Sequence, residues 1–332
     1  MVPPEADSSA VGLLRRRARW SVWEIAFWAA AVAAFFAFPL RLPLMTEIVI
    51  LGLFALSLDL LLGYAGIVSL GHAAFFGVGA YTAGILAQRG WTEPLSGLLA
   101  AGLVSGLVGF ASSFLVLRGS DLTRLMVTLG VSLMLFEAAN KAAWLTGGAD
   151  GLSGVTIDPI LGLFAFDIFG RTGYWYALAV LFVSFLVIRQ IVHAPFGLTL
   201  RGIQGNGLRM SAIGAPVYRH LVVVYTIAAV FAGIAGGLLT QTTQFASLDV
   251  LAFHRSAEGL LVLVIGGSGA LYGGLIGSVA FKLMQEWLSG LTPQYWHFWL
   301  GASLVLLVLF ARGGILGLVR RFARRGARGG PA

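Results

Sequence analysis

One glycine-rich stretch decides how the first half of this chain folds. It covers residues 59–84 and reads DLLLGYAGIVSLGHAAFFGVGAYTAG, an apolar run interrupted by single polar side chains. Gly63, Gly66 and Gly71 lie where one apolar helix should end and the next begin, so we predict a broken or re-entrant backbone here. Irregular backbone at membrane depth is tolerated only where protein or a water-filled cavity covers it.

The polar groups of this stretch have two explanations. Free N–H groups at a helix start favour a carboxylate, and Ser69 and His72 can add hydrogen bonds, so the stretch is a candidate contact for a small polar solute. A tight cytoplasmic turn, in which neighbouring carbonyl groups satisfy Ser69 and His72, accounts for the same residues. The sequence leaves both explanations open.

The composition indicates that the solvent of this chain is a lipid bilayer. Of its 332 residues, 58% are hydrophobic and 11% are charged, whereas a soluble domain has about 45–50% and about 25%. Apolar runs of roughly 18–22 residues recur, each long enough to cross about 30 Å of hydrocarbon. The runs are continuous and lack the alternation of barrel strands, so they predict an all-α fold, a polytopic bundle of transmembrane helices.

The apolar runs also predict a topology. They place ten helices at about 22–40, 44–62, 67–88, 95–117, 123–142, 174–191, 219–240, 256–268, 271–288 and 296–311. Sixteen of the 22 Lys and Arg residues then fall on one side, so the positive-inside rule predicts that both termini are cytoplasmic. We expect a basic N-terminal segment at 1–21, a transmembrane domain at 22–312 and a basic tail at 313–332.

Small residues recur four positions apart within the predicted helices. Examples are Gly102 with Gly106, Gly233 with Gly237, and Gly273 with Gly277. This spacing allows helix backbones to approach closely in lipid. The glycine tracts at 63–84 and 266–277 occupy similar places in the two halves, which suggests an internal repeat.

Charged residues within the predicted spans are functional candidates, because inserting a charge into lipid costs a few kcal/mol. The candidates are Asp59, Glu137, Glu258, Lys282 and Glu286. Lys282 can pair with Glu286, and Glu258 with His254, since each pair is four residues apart on a helix. We expect structural pairing for these groups and water contact for Asp59 and Glu137. A proton-coupled carrier, which would use such groups, is an alternative.

The sequence gives little support for catalysis. The residues Gly266 to Gly269, GGSG, fit the serine pattern of intramembrane proteases, with Ser268 as the nucleophile and His297 as the later candidate base. Ser268 and His297 are, however, expected near opposite faces of the membrane. The five histidines show no metal-ligand spacing, and the chain contains no cysteine. No Gly-x-x-x-x-Gly-Lys-Ser/Thr loop occurs, so any ATP-driven work needs a partner. We therefore expect no catalytic residue, no metal and no cofactor. The basic residues lie beside the ends of the apolar runs, which membrane orientation explains, so we also expect no nucleic-acid partner.

Two connections are long enough to carry function. Residues 193–219 interleave apolar side chains with Arg201 and Arg209, which predicts short amphipathic helices along the cytoplasmic surface. Residues 144–173 form the longest external connection and are apolar in their second half, so they are expected to pack as a cap on which a partner can dock.

Four motifs in this chain resemble those of LivM-type permeases of the branched-chain amino-acid ABC importer family. They are the 59–84 stretch, LTGGADGLSG at 145–154, PFGLTLR at 195–201 continuing to Gly214, and LVIGGSGALYGGLIG at 263–277. The resemblance covers about residues 45–310. The chain departs from the family pattern at Gln204, Gly205 and Gly207, where acidic residues are usual, and near Leu248, where a proline is usual.

The resemblance implies a division of labour among subunits. It implies a second permease subunit, two cytoplasmic ATP-binding subunits, a periplasmic or extracellular substrate-binding protein, and the lipid of a bacterial inner membrane. Branched-chain amino acids are the implied solutes, and urea or short amides are the close alternative. The residues expected to carry these roles are Tyr64, Ser69, Gly71 and His72 for the solute pathway; Arg201, Asn206, Leu208, Arg209, Met210, Ala212 and Gly214 for ATPase coupling; and Thr146, Gly147, Gly148 and Asp150 for docking of the binding protein.

Overall fold

The structure is a computed structural model. It describes residues 22–160, 162–167, 169–291, 294–295, 298–299, 301–302, 305 and 313–317. Most of the predicted helix at 296–311, the N-terminal segment at 1–21 and most of the basic tail lie outside the described residues. The chain divides after Leu42 into two compact units.

The first unit contains the apolar helix α1, Val22–Ala37, and a 3-10 turn, Pro39–Arg41. None of the side chains of α1 is buried within the chain. An apolar helix of this kind is stable where lipid covers its surface.

The second unit consists of long helices joined mostly by short connections. These are α2, Leu42–Asp59, which begins at the boundary residue and continues as a π-helical turn, Leu60–Tyr64; α3, His72–Gln88; α4, Pro94–Val116; α5, Asp121–Lys141; α6, Ala143–Thr146; α7, Arg171–His193; α8, Pro195–Ala212; α9, Val217–Thr243; α10, Phe253–Gly266; and α11, Leu271–Leu291. Further 3-10 turns span Gly148–Asp150 and Leu248–Leu251. No strand occurs among the described residues, which confirms the predicted helical bundle.

The lengths of the helices set how many can cross a bilayer. Within the described residues, 5 segments are long and apolar enough: Pro39–Tyr64, Pro94–Val116, Asp121–Lys141, Arg171–His193 and Val217–Thr243. Helices α10 and α11 meet at a bend of 109° across a short break and together qualify as one further broken span. The sequence predicts two separate helices here, at 256–268 and 271–288. It does not predict the sharp bend at Gly267–Ala270 between them.

Helix α3 is the buried centre of the second unit and packs between α4 and α9. A Cβ atom at Gly236 of α9 would overlap the carbonyl oxygen of Phe76 of α3, and one at Gly79 would overlap the carbonyl of Gly233. At Gly109 of α4, an added Cβ would overlap the side chain of Ala229. The prediction that small residues bring these backbones together is therefore confirmed.

Two side-chain hydrogen bonds fix α3 along its axis. The Ser105 hydroxyl of α4 donates to the Phe75 carbonyl at 2.9 Å, and the Ala73 N–H donates to the Ser256 hydroxyl of α10 at 2.8 Å. Both bonds are buried, where an unpaired polar group would be destabilising. The start of α3 is thus held from two sides.

Candidate functional site

The predicted break in the first glycine-rich stretch is present. Helix α2 ends in its π-helical turn, the backbone from Gly66 to Gly71 is not helical, and α3 begins only at His72. Gly66 has a φ of 72°, a left-handed conformation that glycine adopts without steric cost. The sequence placed the start of this helix at about residue 67, five residues too early, because the apolar run continues through the break.

His72 is fully buried at the N-terminus of α3. The Ser57 hydroxyl donates to the Phe54 carbonyl at 2.6 Å and lies 2.9 Å from His72 Nε2. Because that hydroxyl has one proton, His72 Nε2 must carry the hydrogen and donate it to Ser57. The ring packs on Phe54 and Phe75, with centroid distances of 5.4 and 5.8 Å.

Within residues 64–72, two buried acceptors have no hydrogen-bond partner among the described residues. They are His72 Nδ1 and the Ser69 hydroxyl oxygen. Leaving a buried polar group unpaired costs about 1–3 kcal/mol. Such groups in a native fold call for an explanation, and a bound water or a transient ligand would supply the missing hydrogen bonds.

The backbone amides of the break are less available than the sequence suggested. Ile67 N–H donates to the Leu61 carbonyl at 2.8 Å, Ala74 N–H to the Gly71 carbonyl at 3.1 Å, and Leu70 N–H to the Thr128 hydroxyl at 3.3 Å. Ser256 already occupies the amide of Ala73. A solute carboxylate in this conformation therefore meets side chains of the segment, and not these four amides.

The other two predicted pathway residues are also enclosed. Tyr64 is buried, and its ring faces the guanidinium of Arg201 of α8 at 5.0 Å. Gly71 is packed so closely on α5 that a Cβ would overlap the Thr128 carbonyl. Within the segment, Gly66 and Val68 are the exposed positions, and the α carbon of Gln204 lies close to Gly66.

Asp59 joins the two glycine-rich tracts. It is 1% exposed, and its Oδ1 accepts a hydrogen bond from the Gly269 N–H at 2.8 Å. A Cβ at Gly63 would overlap both this oxygen and the Gly269 amide. The expectation that Asp59 reaches interfacial water is therefore wrong, since the loop between α10 and α11 covers it. Glu137, by contrast, is exposed as expected.

Helix α8 contains the predicted coupling residues. It is helical over Pro195–Ala212 except for a kink at Asn206, whose φ is −164°. The Asn206 side chain restarts the helix by accepting the Arg209 N–H at 2.9 Å. Leu208 is 86% exposed, whereas Met210 is partly covered and lies beside Gly202.

The remaining coupling residues are distributed over both arms of the kink. Arg201 contacts Tyr64 in this chain, whereas Arg209 and Ala212 are exposed. Gly214 follows the helix in the left-handed region with a φ of 88°. The second arm thus presents an exposed surface, and the first arm is attached to the glycine-rich break.

The connection at residues 144–173, which the sequence predicts to be external, forms a compact turn where docking was predicted. The Thr146 hydroxyl donates to the Ala139 carbonyl at 2.6 Å, and the Gly148 N–H donates to the Thr146 oxygen at 3.2 Å. Thr146 and Gly148 are buried and Gly147 is half-buried, whereas Asp150 is exposed. Residue 152 bridges to residue 246, so the connection packs on the end of α9, as a cap should.

The charged pairs differ from those expected from helix spacing. Lys282 Nζ donates to Glu47 Oε2 of α2 at 2.9 Å, whereas Glu286 is exposed. Glu258 pairs with Arg255 at 3.0 Å, and His254 lies 3.0 Å from Asp249. The predicted pairs Lys282 with Glu286 and Glu258 with His254 are therefore wrong. Lys282 pairs with a distant residue of α2, whereas Glu258 pairs with a different neighbour on its own helix.

Sequence reasoning missed four residues that shape this region. They are Ser57 beneath His72, Ser256 at the start of α3, and Glu47 and Arg255 in the paired charges. Glu47 had a signal, since it is a carboxylate inside an apolar run. The two serines had none, because a serine in an apolar helix is ordinary until its neighbours are known.

Taken together, the helices and the enclosed polar segment define an α-helical membrane protein with several spans. The chain belongs to the family described as branched-chain amino acid transport system / permease component, whose model matches residues 40–310. The resemblance drawn from the four motifs is thereby confirmed.

Individual relatives name more than one solute. The LivM permease of the high-affinity branched-chain amino acid transport system of Salmonella typhimurium is 28% identical over 294 residues, 82% of this chain and 68% of the relative. The LsrD permease of the autoinducer 2 import system of Salmonella paratyphi B is 27% identical over 314 residues, 86% of this chain and 90% of the relative. The ribose import permease RbsC of Bacillus subtilis is 28% identical over 170 residues, 47% of this chain and 52% of the relative. No solved structure is significantly similar to this chain.

Proposed function

We propose that this chain is the membrane-spanning permease subunit of an ATP-driven importer for branched-chain amino acids. The observation that carries the proposal is the match to a branched-chain permease family across residues 40–310, together with the LivM relative over 82% of the chain. Urea or a short amide remains the alternative solute. Ribose is a second candidate, favoured by the RbsC relative over 47% of the chain.

The complete importer contains this chain, a second permease subunit, two cytoplasmic ATP-binding subunits and a substrate-binding protein outside the membrane. Its location is the bacterial inner membrane, with both termini in the cytoplasm, as the distribution of basic residues supports. A topology reporter fused after Ala332 should be active on the cytoplasmic side. Activity found only outside the cell would contradict this arrangement. Titrating candidate solutes against the cognate binding protein identifies the solute class directly.

Helix α8 seats in an ATP-binding subunit through its exposed second arm. The exposed Leu208 and Ile213 side chains support this role, because an apolar surface that the chain itself does not cover needs a partner. The first arm contacts the glycine-rich break through Arg201 and Gln204, so movement of the seat reaches the transmembrane helices.

The coupling role is tested with one exposed leucine at the seat and one elsewhere. Leu208→Glu should abolish substrate-stimulated ATPase activity while the chain remains inserted in the membrane. Leu40→Glu is the matched control, because Leu40 is 92% exposed in the 3-10 turn Pro39–Arg41, outside both the seat and the docking connection. Unchanged stimulation in the Leu208 variant would show that the seat lies elsewhere.

The solute passes beside residues 64–72 on its way to the cytoplasm. The unpartnered acceptors of Ser69 and His72 support this path, since neutral hydrogen-bonding groups hold a solute without trapping it. His72→Leu should lower uptake more than His72→Gln, whose amide can still donate to Ser57. Ser57→Ala is the control that removes the same internal hydrogen bond and leaves Nδ1 in place.

The outcomes of that series separate transport from packing. If His72 contacts the solute, uptake per assembled complex falls for the His72 and Ser69→Leu variants and stays near wild type for Ser57→Ala. If the segment is only a packing turn, uptake per assembled complex is unchanged in all of them.

The binding protein docks on the external connection. Ala149 and Asp150 are the exposed positions of the predicted docking turn, which supports contact there. Because the chain contains no cysteine, Ala149→Cys provides a single crosslinking site. A crosslink to the binding protein supports docking, and its absence in a complex that still transports argues against it.

A further inference from the structure

Two cavities in the second unit share one acidic residue, Glu47 of α2. The larger cavity, about 410 Å³, lies where α2 begins and α9 ends, and its polar lining includes Thr46, Asp167 and Thr242. The smaller cavity, about 100 Å³, lies further along α2 between α2, α3, α10 and α11. Glu47 lines both cavities, so the two cavities adjoin at this residue.

The smaller cavity brings both signs of charge together. Lys282 of α11 donates to Glu47 Oε2 at 2.9 Å, and the two side chains are 13% and 48% exposed. The contact is made by Oε2, one of the two carboxylate oxygens of Glu47. Charges placed this far inside apolar helices are costly and mark solute pathways in membrane proteins.

Arg255 of α10 supplies a second cation on the cavity wall. Its Nη1 donates to Glu258 at 3.0 Å, and its Nη2 reaches Asp249 at 3.4 Å. Its Nε is buried without a hydrogen-bond partner among the described residues. A guanidinium with one buried unpaired donor matches a carboxylate ligand, because the donors of arginine are arranged for carboxylate geometry.

The rest of the wall is apolar. Leu51, Phe54, Phe76 and Leu239 line it, and the rings of Phe54 and Phe76 meet at 5.1 Å between centroids. Phe54 also packs on His72, with 5.4 Å between the ring centroids. One aromatic ring therefore separates this cavity from the histidine of the glycine-rich break.

We propose that the smaller cavity is a binding site for a zwitterionic amino acid. Lys282 and Arg255 receive the carboxylate, Glu47 receives the ammonium, and the phenylalanine rings contact the apolar side chain. The ligand replaces the Lys282–Glu47 ion pair with two ion pairs of its own. The larger cavity serves as the entrance, and Phe54 connects this site to the path beside His72. The proposal rests on the proposed function and names the part of the chain that receives the solute.

A purely structural ion pair between α2 and α11 is the competing explanation, and a charge swap separates the two. Glu47→Lys combined with Lys282→Glu keeps an ion pair but exchanges the positions of its two charges. If the pair is only structural, the double variant should behave like the wild type. A binding role is not restored, because each charged end of the ligand then meets its own sign. The swap Asp121→Arg with Arg124→Asp is the matched control, since that pair has a comparable contact of 3.0 Å and lies on α5, away from both cavities.

The measurement is the KM for L-leucine in the complete importer, reconstituted in proteoliposomes with its binding protein. Glu47→Gln, Lys282→Gln and the double swap should each raise the KM about tenfold or more, and the control swap should not. If the wild type imports leucine and the Glu47–Lys282 swap has a wild-type KM, this proposal fails and the proposed function stands. If the wild type imports no amino acid, the proposed function itself fails.

A second measurement needs no variant. The wild-type importer without its binding protein is heated with L-leucine, with 4-methylpentanoate, which lacks the ammonium, or with 3-methylbutylamine, which lacks the carboxylate. Stabilisation by leucine alone supports a site for both charges. No stabilisation by leucine, or equal stabilisation by either analogue, overturns the proposal.

Discussion

The hydrogen bond between Asp59 and Gly269 offers a sharp test of how the two glycine-rich tracts are joined. Asp59→Ala removes the acceptor and leaves the Gly269 amide without its partner at 2.8 Å. A hydrogen bond contributes about 0.5–1.5 kcal/mol, and leaving its partner unpaired away from water costs about 1–3 kcal/mol. The expected loss in the free energy of unfolding is therefore about 2–3 kcal/mol.

Two further variants assign that loss to the hydrogen bond. Asp59→Asn keeps an oxygen that can accept from Gly269, so its loss should stay below about 1 kcal/mol. Asp121→Ala removes a carboxylate that is 89% exposed and paired only at the surface, so its effect should be at most about 1 kcal/mol.

The assay is thermal unfolding of the purified protein in detergent, with all variants compared at one detergent concentration. The Asp59→Ala midpoint should fall by roughly 4–8 °C, using the scaling for large domains. An Asp59→Ala protein as stable as wild type would refute the account of the junction. An Asp59→Asn protein as unstable as Asp59→Ala would show that charge, and not hydrogen bonding, holds the tracts together.

Two other predictions concern the helices around α3. Gly236→Ala should lower the unfolding midpoint, with an overpacking cost of about 1–3 kcal/mol, because its Cβ would overlap the Phe76 carbonyl; Gly130→Ala, which meets nothing within 4 Å, should be neutral or stabilising, and equal midpoints would contradict the packing described. Glu93 caps α4 by accepting the Ser96 N–H at 2.7 Å, and hydrogen bonds from Ser96 lower the pKa of its carboxyl below the ordinary value of 4.5. Glu93→Ala should therefore destabilise the protein by about 1 kcal/mol at neutral pH. Because the pKa of Glu93 is lower in the folded state, this contribution to stability is present above the ordinary pKa and is lost as the pH falls through the folded-state pKa. A difference in unfolding midpoint between wild type and Glu93→Ala that persists at low pH would argue against the cap.

The sequence could predict the features that depend on local chemistry. Gly63, Gly66 and Gly71 predicted the break because glycine weakens a helix and adopts left-handed backbone conformations, as Gly66 does with a φ of 72°. The small residues of α4 and α9 predicted close helix packing, because residues with little or no side chain allow helix backbones to approach each other. The alternation of apolar residues such as Leu208 with basic residues such as Arg209 predicted an amphipathic helix on the surface, because that pattern too is local in the sequence.

The features that the sequence did not predict depend on partners far away in the chain. Lys282 pairs with a residue 235 positions away, and Asp59 with one 210 positions away. The rule for residues four apart on a helix ranks only local partners, so it selected Glu286 for Lys282. The 109° bend between α10 and α11 was missed because either a straight pair or a bent pair satisfies the same apolar pattern.

We propose that this chain forms the path by which an ATP-driven importer moves branched-chain amino acids. The most direct test is the accumulation of radiolabelled L-leucine by proteoliposomes that contain this chain with its partner permease, ATP-binding subunits and binding protein. The account predicts accumulation that requires ATP and that excess L-valine or L-isoleucine suppresses, whereas excess ribose or urea does not. Accumulation of ribose or urea in place of leucine under the same conditions would contradict it.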